Sequence, residues 1–174
     1  MKKIFLFLLI LLVPFTAHAK INVVATIPDL AAIAREVGGE LVNVDSIARG
    51  DQDPHYLEPK PSYAVKMNKA DLLIEVGLEL EVGWLPVLLT QSRNPKILRG
   101  ASGHLDASRD IPVAEIPAGK VDRSMGDVHP LGNPHYWLDP RNGLIIARGI
   151  ADKLGKLDPA NKTVYDGNLG VFTT

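Results

Sequence analysis

Apolar residues recur along this chain with two alternating periods. Ile21 to Ala25 is a short β-branched run. Pro28 and Asp29 then open a segment with Leu30, Ile33, Ala34 and Val37 at helical spacing, closed by Gly38 and Gly39. Leu41 to Ile47 has the make-up of a second strand, followed by a polar loop to Pro61. Ser62 is placed to cap a short helix running to Lys69, and Asp71 to Val76 forms a third strand ended by Gly77. Leu80 to Gln91, with Trp84, Leu85, Leu88 and Leu89, carries a helical pattern interrupted by Pro86. Lys96 to Leu98 fits a weak fourth strand. Residues 100–134, rich in Gly, Pro and Asp, read mainly as loop, with extended pieces near Val113. Asp139 and Pro140 supply an N-cap and a first helical residue for a helix through Ile145, Ile146, Ile150 and Leu154. No internal repeat is visible. Strands separated by helices predict an α/β fold, a single lobe with a mostly parallel sheet covered by helices.

The final segment has a second cap-and-proline start at Asp158 and Pro159. Ala160, Val164, Leu169 and Phe172 follow it, and the chain stops at Thr174 without a C-terminal capping signal. Gly167 and Gly170 each cost such a helix about 1 kcal/mol relative to Ala.

The opening residues change the compartment. Lys2 and Lys3 precede an uncharged run from Ile4 to Phe15, and Ala17-His18-Ala19 is a small-x-small cleavage pattern. A membrane-spanning helix needs about 20 apolar residues; this run is shorter, and Pro14 interrupts it. The expectation is an export leader, 1–19, cut after Ala19, and a product free in an exported space, most simply a bacterial periplasm, that does not span the membrane. The chain has no Cys, which excludes a disulfide framework, thiolate metal sites and a lipidated N-terminal Cys. At 46% apolar residues the chain can form a real core. Its formal charge is −1, and the leader takes two lysines and no acid with it. A weakly acidic product has no cationic excess to replace phosphate counterions, so nucleic-acid binding is not expected.

The chemistry lies in the histidines. Residues 50–59 and 126–140 each place a His directly after a Pro, His55 and His135, in a loop before a predicted helix. Loops at the carboxyl ends of parallel strands form the ligand crevice of open α/β sheets. Neutral imidazole suits zinc and other late first-row metals, and the preceding Pro limits the backbone freedom lost on fixing a ligand. A solvated loop His is the plain alternative for either residue. His129 adds a third imidazole at a spacing that matches no metal motif, and His104 is expected to be exposed in a Gly/Asp loop. Asp51, Asp53, Glu58 and Asp127 are near enough to accept imidazole N–H bonds, although for any one of them an ordinary loop acid is the better reading.

A leader, a strand, then D-x-D-P-H-x-x-E-P-x-P-S over 51–62, A-D-L-L-I-x-x-G over 70–77 and N-P-H-Y-W-L-D-P over 133–140 resemble the zinc/manganese-binding periplasmic receptors of ABC transporters. The resemblance covers Lys20 to Thr174. It implies that His55 and His135 are metal ligands and that the cargo is zinc, or alternatively manganese. It also implies two α/β lobes joined by a long helix, a second lobe supplying a third His and a carboxylate, and a membrane permease as partner. On that pattern residues 20–156 are the N-terminal lobe, and 157–174 begin the joining helix of a truncated receptor with half of the metal site. The His/acid-rich loop of many zinc members is absent, since Pro117 to Gly126 contains no His. Imidazole ligands lean toward zinc, because manganese prefers more oxygen.

A saturated four-ligand site leaves no open position for activating water, so the resemblance implies binding and delivery rather than an enzyme. With His55 and His135 alone, an ion keeps waters, and the expectation is weak zinc binding or none. Two other readings stand beside it. One is a zinc-dependent hydrolase using these imidazoles and an acid such as Asp127, although no H-E-x-x-H or G-x-S-x-G motif is present. The other is an adhesin-like surface interaction protein in which the histidines are incidental.

Overall fold

Four parallel strands form the centre of the molecule, in the order β2-β1-β3-β4. The computed structural model describes residues 19–122, 126 and 128–174. The expected leader lies outside the described residues except for Ala19. The strands are β1 (Ile21–Ala25), β2 (Val42–Ser46), β3 (Leu72–Glu75) and β4 (His104–Asp106). Val23 pairs with Val44 on one side and with Leu72 on the other, and Leu73 pairs with His104. Every residue of β3 is buried. A strand covered on both faces reads as an unbroken apolar run, as Leu72, Leu73 and Ile74 do.

The helices are α1 (Pro28–Gly38), α2 (Pro61–Asn68), α3 (Leu85–Ser92), α4 (Pro140–Leu157) and α5 (Lys162–Phe172). Helices α1, α4 and α5 pack as one group, and α2 with α3 as another. Ile146, Ala147, Ile150, Ala151 and Leu154 form the buried stripe of α4, the spacing expected of a helix with one face on a core. Asp139 caps α4 by accepting from the Arg141 backbone N–H at 2.9 Å. Helix α5 is anchored by Tyr165, which is fully buried and donates to Asp158 at 2.9 Å, and by Asn168, which donates to the Val37 carbonyl at 3.0 Å. No helix among the described residues is long and apolar enough to cross a membrane.

Several local expectations need correction. Ser62 does not cap α2: Pro61 begins the helix, Lys60 is the flanking residue, and no side chain caps it. Pro86 opens α3 instead of interrupting a longer helix, because a proline in the first turn gives up an N–H that has no helical partner anyway. Lys96 to Leu98 is not a strand. Pro95 to Ile97 forms a 3-10 turn, held by the Asn94 side chain accepting from the Lys96 N–H at 3.1 Å. The fourth strand is His104 to Asp106, inside the segment read as loop. Its three residues are too short a run to show a period.

Candidate metal centre

The loop after β2, the turn after β3 and the segment leading into α4 meet at the carboxyl ends of the strands. His55 and His135 come together there, as the loop argument predicts, and their ring centroids are 5.2 Å apart. His129 joins them, 5.2 Å from the His55 ring and 6.3 Å from the His135 ring. All three imidazoles are half-buried. The Nε2 atoms of His55 and His129 stand 3.2 Å apart.

The two Pro-His loops orient their rings in the same way. Asp53 Oδ1 accepts from the His55 backbone N–H at 2.9 Å and faces the ring Nδ1 at 2.7 Å. Asn133 Oδ1 accepts from the His135 backbone N–H and faces the ring Nδ1, both at 2.9 Å. The amide of Asn133 is itself oriented by its Nδ2 donating to Glu115 at 2.7 Å. An acceptor opposite Nδ1 places the ring proton there and makes Nε2 the lone-pair nitrogen. This is the partner arrangement that metal-binding imidazoles use. The His55 backbone N–H, and then its ring, hold the Asp53 carboxyl below its usual range.

Residues of β3 and the turn after it support both loops. The Trp84 indole N–H donates to the Pro54 carbonyl at 2.8 Å, which fixes the peptide before His55. The Tyr136 hydroxyl donates to the Val76 carbonyl at 2.6 Å, which fixes the residue after His135. The turn itself is unusual: Gly77, Leu78 and Glu79 all have positive φ, at 81°, 52° and 66°. A left-handed conformation costs an ordinary residue roughly 1–2 kcal/mol. Glu81 holds the turn by accepting from the N–H groups of Val76 and Gly77 at 2.7 and 3.2 Å. A side chain at Gly77 would also strike the Asp106 carboxylate.

Beneath the imidazoles lies a second titratable group. Burial pushes the Glu81 carboxyl up to about 7, and the nearby Glu75 charge adds to the rise. The buried Thr26 hydroxyl works against that rise without meeting full hydrogen-bond geometry. Glu75 is also desolvated, but hydrogen bonds from His104 and Arg99 outweigh burial and leave it below its usual range. His104 Nε2 lies 2.8 Å from Glu75, and its side chain is only 9% exposed, so the expectation of an exposed His104 is wrong. β-strand pairing turns it inward against β3.

Of the acids within sequence reach, Asp53 orients a ring. Asp51 instead pairs with Arg49 at 3.0 Å, and no hydrogen bond joins Glu58 to an imidazole among the described residues. Asp127 lies outside the described residues. Asn133 is not among the residues expected to orient a ring, although Asp53-Pro54-His55 and Asn133-Pro134-His135 share one sequence pattern that points to it. Among the described residues, no three His, Cys, Asp or Glu side chains already enclose a single ion position.

A family model for the periplasmic component A of zinc-uptake complexes matches residues 23–174. The chain is 33% identical over 160 residues to a metal ABC transporter substrate-binding lipoprotein of Streptococcus cristatus, covering 90% of this chain and 48% of that one. It is 32% identical, with the same coverage, to a manganese ABC transporter substrate-binding lipoprotein of Streptococcus gordonii. A crystal structure of a zinc-bound ZnuA deletion mutant superposes with a TM-score of 0.72 at 30% identity, covering 88% of this chain and 53% of that one. The chain thus spans about half the length of the curated relatives it matches. With the match running from β1 through α5, the chain belongs to the zinc-uptake complex component A family of periplasmic proteins.

Proposed function

We infer that this chain is the metal-holding part of an extracytoplasmic receptor that captures zinc, or alternatively manganese, and presents it to the membrane permease of an ABC importer. His55 and His135 are the proposed ligands, each through Nε2. The observation that carries the reading is the matched tethering of the two rings, with Asp53 and Asn133 each accepting at the backbone N–H and facing Nδ1 of its His. Two rings fixed in this way lose little freedom when an ion arrives. Family membership supports the same reading, and the relatives' roles as metal ABC transporter substrate-binding lipoproteins supply the transporter context. The leader-like residues 1–19 support export to the periplasm.

A receptor must bind an ion and release it unchanged, and imidazole ligands serve that role without a nucleophile or an acid–base pair. Two protein nitrogens leave water to complete a four-coordinate shell, so this length of chain binds more weakly than a saturated site. Calorimetric titration of the chain with zinc and with manganese tests the reading. The expected result is measurable zinc binding that is lost in His55→Ala and in His135→Ala, with folding unchanged by circular dichroism. Binding that survives both substitutions would overturn it.

A further inference from the structure

We propose that His129 is a third metal-contacting imidazole of this chain, sharing the ion with His55 and His135 and biasing the site toward zinc over manganese. The inference rests on the receptor reading above and adds a ligand to it. Sequence spacing gave no reason to include His129; the folded geometry does.

The distances carry the case. Two nitrogens bound at 2.0–2.1 Å to one tetrahedral ion lie about 3.3 Å from each other. The Nε2 atoms of His55 and His129 are 3.2 Å apart. Rings bound in this way have centroids separated by about 5 Å. The His55–His129 and His55–His135 pairs both stand at 5.2 Å. The His129–His135 pair, at 6.3 Å, is wider by about 1 Å, so the three rings approach one point without yet enclosing it. A side-chain adjustment of that size, drawn by the cation, closes the set.

The chemistry agrees. With its Nδ1 proton directed at Asp53, His55 offers a lone pair at Nε2. Another ring nitrogen brought to 3.2 Å from it is attracted only through a proton or a cation between them. The position of His129 is also built by the backbone. The Gly132 N–H donates to the His129 carbonyl at 3.2 Å, and the Asn133 N–H donates to Ala114 at 2.9 Å. Gly132 has φ 104°, and a side chain there would collide with Val113 and the Ala114 carbonyl. This turn sets His129 between two cavities: one of about 490 Å³ shared with His55, Glu79 and Asp122, and one of about 310 Å³ shared with Glu115 and His135. Three neutral imidazoles form a donor set suited to zinc and poorly suited to manganese.

X-ray absorption at the zinc edge of the zinc-loaded chain counts the imidazoles directly and needs no variant. Three are expected in the unaltered chain. His129→Ala, a half-exposed loop substitution, should show two and bind zinc on the order of tenfold more weakly, with a smaller loss for manganese. Two imidazoles in the unaltered chain, or zinc affinity unchanged in His129→Ala while His55→Ala abolishes it, would overturn this inference and leave the receptor reading standing. Zinc binding unaffected by His55→Ala and His135→Ala would overturn both.

Discussion

Two groups of titratable side chains lie one above the other at the carboxyl end of the same sheet, and they are built for different work. In the lower group, Glu75 and Glu81 are almost wholly buried, and protein atoms face each carboxylate: Arg99 and His104 for Glu75, the Val76 and Gly77 N–H groups for Glu81. In the upper group, His55, His129 and His135 are half-buried, and their neighbours hold them from behind, at Nδ1 for His55 and His135. Buried polar atoms satisfied by their own protein stabilise and shape a fold. Ring nitrogens tethered on one side and gathered on the other are arranged to meet something from outside. The lower group sets the turn on which the upper group stands, so a disturbance of one should leave a different signature from a disturbance of the other.

The largest expected effect separates stability from binding. Glu75→Ala removes the carboxylate that pairs with Arg99 and His104 and leaves His104 buried without its acceptor. The expected loss, by chemical denaturation, is about 3 kcal/mol, with Arg99 contributing little because it is partly exposed. Zinc affinity should change far less than in His55→Ala. A loss of zinc binding comparable to that of His55→Ala, in a chain that still folds, would merge the two groups and break the comparison.

The pH dependence of stability should come from the lower group. The folded chain holds the Glu81 proton up to about 7, whereas a glutamate in the unfolded chain loses it near 4.5. Between those values the native state binds more protons than the unfolded chain, so stability falls as pH rises, by roughly 3 kcal/mol at most. Glu75 acts in the opposite sense: its lowered value contributes stability that is lost as pH falls below 4.5. Denaturation midpoints measured from pH 5 to pH 7.5 should decline, and Glu81→Gln should flatten the decline. A decline that persists undiminished in Glu81→Gln would assign it to another group.

Smaller effects sharpen the upper group. Asp53→Ala removes the acceptor that holds the His55 ring and should weaken zinc binding about 10-fold to 100-fold, with little change in stability. Trp84→Phe keeps most of the apolar bulk and loses the bond to Pro54, at a cost of about 1 kcal/mol in stability and a modest loss of affinity as the peptide before His55 loosens. Calorimetry and denaturation on the same two variants would show whether the effects divide in this way.

Much of this arrangement is legible in the amino-acid sequence. Period and capping residues located β1, α1, β3 and α4, because those segments bury one long face or carry Asp139 and Pro140 at a helix start. The convergence of His55 and His135 followed from placing both in loops at strand ends. Other features were hidden for identifiable reasons. β4 is too short to show alternation, and His104 looked like a loop residue until pairing with β3 turned it inward. Glu81 sits in a helical pattern, yet its carboxylate serves a turn of left-handed residues that no local propensity predicts. His129 is far from His55 along the chain, and folding through the turn at Gly132 brings the two nitrogens within 3.2 Å. Asn133 was readable from its parallel with Asp53.

The central claim is that His55 and His135 are held with Nδ1 protonated so that both Nε2 atoms meet the same ion. Long-range proton–nitrogen NMR of the histidine rings reads this atom by atom. The account predicts the Nδ1–H tautomer for both rings before zinc is added, and a large Nε2 shift in both, with Nδ1 little changed, after it. An Nε2–H tautomer at either residue, or ring nitrogens that do not respond to zinc, would contradict it.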